Sequence, residues 1–126
     1  MQNERLEKGL LKLKEIDGKA GEQVYEKLNT ISPFIAGFLV ESFGDIYSIT
    51  EIDNKTREIA VIGALTALGS ALPQLKVHIH AGLNVGLTKD EILAIINTMG
   101  IYVGFPAMLN ALYAAQEVFN EPDLKR

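Results

Sequence analysis

The chain contains no cysteine and only two histidines among its 126 residues. The absence of cysteine excludes disulfide bonds, thiol peroxidase chemistry and metal sites built on thiolates. Histidine is the one side chain that ordinarily changes its charge near neutral pH, so acid–base chemistry in that range has few other places in this sequence. The segment that carries both histidines, His78 and His80, is therefore the first candidate for chemistry.

The chain also lacks an excess of basic residues and an apolar run long enough to cross a bilayer. It carries 12 Lys and Arg against 16 Asp and Glu, which gives a net charge of −4. This balance argues against a nucleic-acid partner, because phosphate binding requires a basic face. The longest nearly apolar run, residues 59–72, is too short for a membrane span, and no apolar segment follows the polar N-terminus as in a secretory signal. We expect a soluble, cytoplasmic protein with no membrane partner.

Length and composition favour a single domain over residues 1–126. The chain is 48% hydrophobic and 22% charged, which is typical of a globular protein and not of a disordered one. A chain of this size can bury a core without disulfide bonds. Its sequence shows no internal repeat and no linker.

Hydrophobic spacing predicts an all-α protein of six or seven helices, because apolar residues recur at intervals of three and four. Ser32 before Pro33 is a strong helix start, and Thr88 with Glu91 forms a capping box. The predicted helices cover residues 4–16, 19–28, 33–43, 55–68, 73–85, 89–98 and 106–119. Gly18 separates the first two, and Gly86 suits the position after a helix C-terminus. Residues 46–52 favour β-structure, but a single strand would have no partner, so we interpret them as a loop or helical turn.

Several predicted helices carry pronounced apolar faces. The first has the apolar stripe Leu6, Leu10, Leu11, Leu13 and Ile16, and the third places Phe34, Ile35, Phe38 and Leu39 on one side. The helix over residues 55–68 is apolar almost all round after its first turn, as in a core centre or a subunit interface. Gly100 and Gly104 would let two backbones approach closely. The all-round apolar helix, over residues 59–68, and this glycine pair are hard to bury within so small a monomer, so we expect a homo-oligomer.

The two histidines fall on different faces of their predicted helix, because positions two apart point about 200° from each other. His78 shares the apolar stripe with Leu75, and Gly82, one turn on, would leave room beside its ring. His80 falls on the other side, as an exposed or interfacial residue. Spacing alone favours the simpler interpretation of His78 as a core histidine held by one hydrogen bond, and both interpretations stay open.

Four further residues are candidates for chemistry. Glu58 borders the core from the first turn of its helix, and the alternative is a surface acid that interacts with the helix dipole. The guanidinium of the neighbouring Arg57 matches the two oxygens of a substrate carboxylate, and the alternative is a salt bridge. Glu41 lies near a helix end, where the helix dipole disfavours a carboxylate. Tyr102 could offer its hydroxyl to a pocket. A carboxylate such as Glu41 is more often a solvated end residue, and a tyrosine such as Tyr102 is more often a core residue with its hydroxyl at the edge.

The sequence offers no convincing site for a metal or a phosphate. His78 and His80 cannot share one ion on a helix, and no His/Glu pair has a spacing of four. No glycine-rich loop follows a strand, and no serine nucleophile elbow is present. We therefore expect neither a metal nor a cofactor.

Several segments, taken in order, resemble the carboxymuconolactone decarboxylase family. They are FGDIY (residues 43–47), TREI (56–59), His78 with Gly86 eight residues later, TKDEI (88–92) and YVGFPA (102–107). The resemblance covers about residues 30–118. It implies an all-α fold built on an antiparallel helix hairpin, of the alkylhydroperoxidase-D type, assembled into homo-trimers or homo-hexamers.

The family that the chain resembles has a thiol branch, and this sequence departs from it. In the alkylhydroperoxidase-D branch a C-x-x-C-x-x-x-H motif performs peroxide-linked disulfide chemistry. His78 corresponds to the motif's histidine, but Ala71 and Gln74 occupy the cysteine positions. The acid of that branch corresponds approximately to Glu58. The family's thiol peroxidase mechanism is therefore excluded here.

The resemblance to the other branch implies decarboxylation of a small carboxylated lactone to an enol-lactone, without a cofactor. It implies His78 as hydrogen-bond donor or general acid, oriented by Glu58 or Glu41. Arg57 would bind a substrate carboxylate, and Tyr102 and His80 are further substrate-binding candidates. Because fold similarity does not fix function, the alternatives are a non-thiol relative of alkylhydroperoxidase-D and a non-catalytic oligomeric binding protein.

Overall fold

The computed structural model describes residues 3–124, which form six α-helices and no strand. The helices are α1 (Glu4–Ile31), α2 (Pro33–Tyr47), α3 (Asn54–Leu68), α4 (Leu72–Asn84), α5 (Lys89–Val103) and α6 (Phe105–Phe119). The all-α prediction is thus confirmed, and residues 46–52 are divided between the end of α2 and a turn. None of these six helices is both long enough and apolar enough for a bilayer crossing. Residues 1, 2, 125 and 126, which include the start of the N-terminus judged for a secretory signal, lie outside the described residues.

The chain divides into two compact units at the boundary between Asn54 and Lys55. The first unit contains α1 and α2, and the second contains α4, α5, α6 and all of α3 except its first residue. Both histidines, and every predicted site residue except Glu41, belong to the second unit.

In the first unit, α1 is broken at Gly18, whose φ of 59° and ψ of −141° are not helical. Glycine adopts such a positive φ without the steric cost that a Cβ would impose. The predicted helix end at this position is confirmed, although the second half continues to Ile31 and not only to residue 28. Residues from both halves line one cleft, so the two halves lie beside each other.

The packing of α1 against α2 depends on two buried glycines, Gly9 and Gly44. A Cβ built on Gly44 would lie 2.6 Å from the Cα of Gly9, and a Cβ on Gly9 would overlap the carbonyl of Val40. The two helices therefore touch backbone to backbone where they cross. Ser32 begins α2 as predicted, because its Oγ accepts a hydrogen bond from the Ile35 N–H at 3.4 Å.

This close crossing decides which side of α2 is buried. The large apolar residues of α2 are exposed, at 77% for Phe34 and 57% for Phe38, and its buried residues are Ala36, Val40 and Gly44. Leu11, predicted within the apolar stripe of α1, is 71% exposed. Phe34, Ile35, Phe38 and Leu39 share one side of α2 as predicted, and this side is exposed because the backbone contact with α1 admits only small side chains.

The second unit is built on one hydrophobic core to which all four of its helices contribute. Its members are Ile62, Leu75, Ile79, Leu87, Ile92, Ile96, Ala111, Ala114, Ala115 and Val118. Both α4 and α5 pack against α6. Each large aliphatic side chain in this core contributes roughly 1.5–3 kcal/mol by its burial. The core therefore fixes the rotation of α3 and α4, the two helices that carry Glu58 and His78.

Local signals set the turn between α4 and α5 as predicted. Gly86 has a φ of 111° after the end of α4. Thr88 Oγ1 accepts from the Glu91 N–H at 3.0 Å, and Glu91 Oε1 accepts from the Thr88 N–H at 2.9 Å. This reciprocal capping box lowers the pKa of the Glu91 carboxyl, chiefly because the Thr88 backbone N–H favours the charged form.

The predicted end of α5 near residue 98 was too early, since the helix continues to Val103. Gly100 lies inside it, where a Cβ would overlap the side chain of Met108 on α6. The atoms nearest to that Cβ all belong to the Met108 side chain, so α5 and α6 meet here through a side chain and not by the backbone approach that the spacing predicted. Gly104, with a φ of 92°, separates the two helices.

Candidate functional site

The structure brings together two of the predicted catalytic residues, Glu58 of α3 and His78 of α4. The Nδ1 atom of His78 lies 2.6 Å from Oε1 of Glu58. The Glu58 side chain is fully buried, whereas the His78 side chain is 19% exposed. The pair therefore consists of a carboxylate screened from water and an imidazole at the edge of the protein interior.

The core of the second unit positions this pair. Ile62 lies one helical turn after Glu58, and Leu75 and Ile79 flank His78 on α4; all three are fully buried. The prediction that Gly82 leaves room beside the histidine ring was wrong. A Cβ there would lie 3.1 Å from Cδ1 of Ile62 and equally close to Cδ1 of Leu87, so core side chains occupy that space.

The chemistry of the pair follows from its contact. A buried carboxylate requires a strong donor, and the Nδ1–H of His78 supplies one at the short end of the range for charge-assisted hydrogen bonds. Because Nδ1 is engaged, chemistry with another molecule falls to Nε2. When both ring nitrogens carry a proton, the Nε2–H can donate a hydrogen bond or a proton. The arrangement is thus suited to general acid catalysis and to stabilising an oxyanion.

His80 faces a different neighbour. Its Nε2 atom lies 2.7 Å from Oε2 of Glu121, just beyond α6, and its side chain is 26% exposed. One turn earlier on both elements, Lys76 pairs with Glu117. His80 therefore belongs to a row of two surface pairs that join α4 to the end of α6. It points away from the Glu58–His78 pair, as the helical spacing predicted.

Arg57 and Tyr102 differ in their surroundings. Arg57 precedes Glu58 on α3 and is half-buried. Tyr102 is 78% exposed near the end of α5, beside Ile101 at 80%. The alternative of Tyr102 as a core residue was therefore wrong, and its ring belongs to an exposed apolar surface.

Glu41 lies in the first unit, within an ion-pair network. Its Oε2 atom accepts a hydrogen bond from Nη1 of Arg5 at 2.7 Å, and its Oε1 accepts from Asn3 at 3.2 Å. Arg5 also donates to Asp45 at 2.8 Å, and this guanidinium holds the pKa of the Asp45 carboxyl below its ordinary value. Sequence reasoning missed the network because Arg5 is 36 residues away from Glu41 along the chain. The only local signal of this network was that its two acids, Glu41 and Asp45, lie four residues apart on α2.

Comparisons with known proteins agree with the resemblance carried by the motifs. The sequence model of the "Carboxymuconolactone decarboxylase family" matches residues 36–117, a segment that contains all six predicted site residues. A 4-carboxymuconolactone decarboxylase of Acinetobacter baylyi is 33% identical over 97 residues, which cover 76% of this chain and 72% of that protein. An uncharacterized 15.0 kDa protein of the nqo9–nqo10 intergenic region in Paracoccus denitrificans is 38% identical over 98 residues, 76% of this chain and 73% of its own length.

Proposed function

Because this chain belongs to the carboxymuconolactone decarboxylase family, we propose that it catalyses the cofactor-independent decarboxylation of a small carboxylated lactone. The observation that carries the proposal is the 2.6 Å contact between the buried carboxylate of Glu58 and the partly exposed imidazole of His78. The activity named for the Acinetobacter relative supports the reaction type. The absence of cysteine, with Ala71 and Gln74 at the thiol positions, excludes the thiol mechanism of the alkylhydroperoxidase-D branch.

The first chemical step breaks the carbon–carbon bond to the substrate's carboxylate. Carbon dioxide leaves, and the bonding electron pair moves through a conjugated double bond onto the lactone carbonyl oxygen, giving a dienolate. Negative charge thus develops on one oxygen, where a positioned donor lowers the barrier most effectively. We assign this role to the Nε2–H of the His78 imidazolium.

The second step transfers a proton to carbon. The His78 imidazolium gives its Nε2 proton to the dienolate, which becomes the enol-lactone, and solvent then returns a proton to the imidazole. The substrate therefore exchanges one carbon dioxide for one proton, and no electron carrier is required. Glu58 acts as a positioning residue, because it orients the ring without touching the substrate.

The remaining assignments concern substrate binding. Arg57 stands next to Glu58 on α3, and its guanidinium fork matches the two oxygens of a substrate carboxylate. Contacts of His80 and Tyr102 with the substrate, and the alternative orienting role of Glu41, stay predictions.

Incubation of the protein with 4-carboxymuconolactone tests the proposal. We expect the release of one carbon dioxide for each enol-lactone formed, at a rate unaffected by EDTA, because the proposed steps require only protons. The products can be followed by carbon dioxide detection and by NMR of the lactone. Saturable binding of carboxylated lactones without any release of carbon dioxide would contradict the proposal and favour a binding protein.

We further propose that several copies assemble through the exposed apolar surface of α5 and α6. Residues 92–116 contain no charged side chain, yet Ile101, Tyr102, Phe105 and Tyr113 are between 59% and 80% exposed. An uncharged apolar surface can pack against another copy without burying an unpaired charge. This surface would suit the trimers or hexamers that the family resemblance implies.

Light scattering tests the assembly. We expect a mass of three or six times 13.8 kDa at micromolar concentration. Tyr113→Lys should yield smaller species, because it places a charge within the uncharged surface. Asn120→Lys, which adds the same charge at an exposed position outside that surface, is the matched control. A wild-type monomer would refute the assembly.

A further inference from the structure

The first unit contains a cleft that the proposed reaction does not use. It lies between the two halves of α1, on either side of the break at Gly18, and has a volume of about 570 Å³. This volume lies within the range of roughly 300–1,000 Å³ that is typical of small-molecule sites. Its lining residues are Glu7, Leu10, Leu11, Leu13, Lys14, Glu22, Tyr25 and Glu26.

The apolar part of the lining comes from the first half of α1. Leu13 is buried, whereas Leu11 is 71% exposed although it faces a concave surface. A ligand with an apolar portion would remove the exposed part of Leu11 from water, which favours binding. From the second half of α1, Tyr25 adds an aromatic ring, whose face attracts organic cations.

The charged part of the lining is predominantly acidic. Glu7, Glu22 and Glu26 contribute three negative charges and Lys14 one positive charge, so the lining carries a net charge of −2. Among residues 3–124, none of these four side chains takes part in a salt bridge or side-chain hydrogen bond. The potential of the three carboxylates is therefore not neutralised by neighbouring ion pairs, and it favours a positively charged ligand.

We propose that this cleft binds an amphipathic organic cation, such as an alkylammonium compound. Its alkyl chain would lie against Leu10, Leu11 and Leu13, and its cationic head would lie among the carboxylates near Tyr25. The combination of apolar wall and acidic lining selects this class, because an anion with the same chain is repelled and a small cation without the chain leaves the leucines exposed.

Calorimetric titration of the full chain with octyltrimethylammonium, below its micellar concentration, tests the proposal. We expect saturable binding of one molecule per chain. Octanesulfonate has an alkyl chain of the same length with the opposite charge, and tetramethylammonium has the head alone; each should bind at least about tenfold more weakly. Equal binding of octanesulfonate would overturn the proposal.

Two variants locate the site. The double substitution Glu22→Gln with Glu26→Gln should weaken octyltrimethylammonium binding by about tenfold or more, because it removes two of the three carboxylates. Leu11→Gln should also weaken it, and its high exposure leaves the fold unaffected. Glu4→Gln, on the same helix but outside the cleft, is the control and should bind as the wild type does. Unchanged affinity in the double variant would overturn the proposal. Self-association of the chain through the cleft would overturn it too, and it would be recognised by its loss in Leu11→Gln and by its competition with the cation.

Discussion

Replacing His78 with alanine is expected to lower kcat for lactone decarboxylation by about 10³-fold, since a positioned acid or oxyanion donor contributes roughly 10²–10⁴-fold. KM should change little, because the donor acts mainly on charge that develops in the transition state. The substitution also deprives the buried Glu58 of the donor seen at 2.6 Å, which can lower stability by about 1–3 kcal/mol.

His78→Asn separates these two effects. The asparagine amide can occupy the place of Nδ1 and donate to Glu58, but it offers nothing at the position of Nε2. We expect this variant to unfold at nearly the wild-type temperature and to lose as much kcat as His78→Ala. Lys76→Gln, on the same helix, should retain the wild-type kcat. A folded His78→Asn enzyme with wild-type turnover would remove His78 from the mechanism.

A second large effect is expected at the crossing of α1 and α2. Gly9→Ala should reduce the free energy of unfolding by about 2–3 kcal/mol or more, as overpacking does in tightly packed cores. The added methyl group would overlap the backbone carbonyl of Val40, which cannot move unless the helices separate. This cost should exceed the gain of up to about 1 kcal/mol that alanine offers over glycine within a helix.

Gly37→Ala is the matched control for that substitution. Gly37 lies on α2, and a Cβ there would meet only Oε1 of Glu41, at 4.0 Å. The same change should therefore be neutral or raise the stability by about 0.5–1 kcal/mol. Urea denaturation followed by circular dichroism measures both variants. Equal stability of Gly9→Ala and Gly37→Ala would contradict the backbone contact between the helices.

Helix starts and breaks could be predicted from the sequence because their causes are local. Ser32 caps α2, the reciprocal bonds of Thr88 and Glu91 begin α5, and Gly18 interrupts α1, each through groups within a few residues. The end of α5 could not be predicted in this way. The helix tolerates Gly100, at a propensity cost of about 1 kcal/mol, because the glycine admits Met108 of another helix.

Contacts between distant residues were less accessible to sequence reasoning. Helical spacing placed His78 on an apolar face, and the family resemblance suggested Glu58 or Glu41 as its partner, but spacing could not choose between them. The choice depends on how the core rotates α3 and α4, which brings Glu58 to Nδ1 of His78 across 20 residues of sequence. Which side of α2 is buried could not be predicted for a related reason, because the contact between Gly9 and Gly44 decides it.

The pairing of Glu58 with His78 is tested most directly by a double-mutant cycle on kcat. The cycle compares Glu58→Gln, His78→Asn and the double variant with the wild type, and Glu117→Gln is the control for loss of an acid elsewhere in the second unit. Since the two residues act as one unit, Glu58→Gln alone should lower kcat by about 10²-fold or more, and adding it to His78→Asn should lower kcat no further. Losses that multiply in the double variant, or a wild-type kcat in Glu58→Gln, would contradict the pairing.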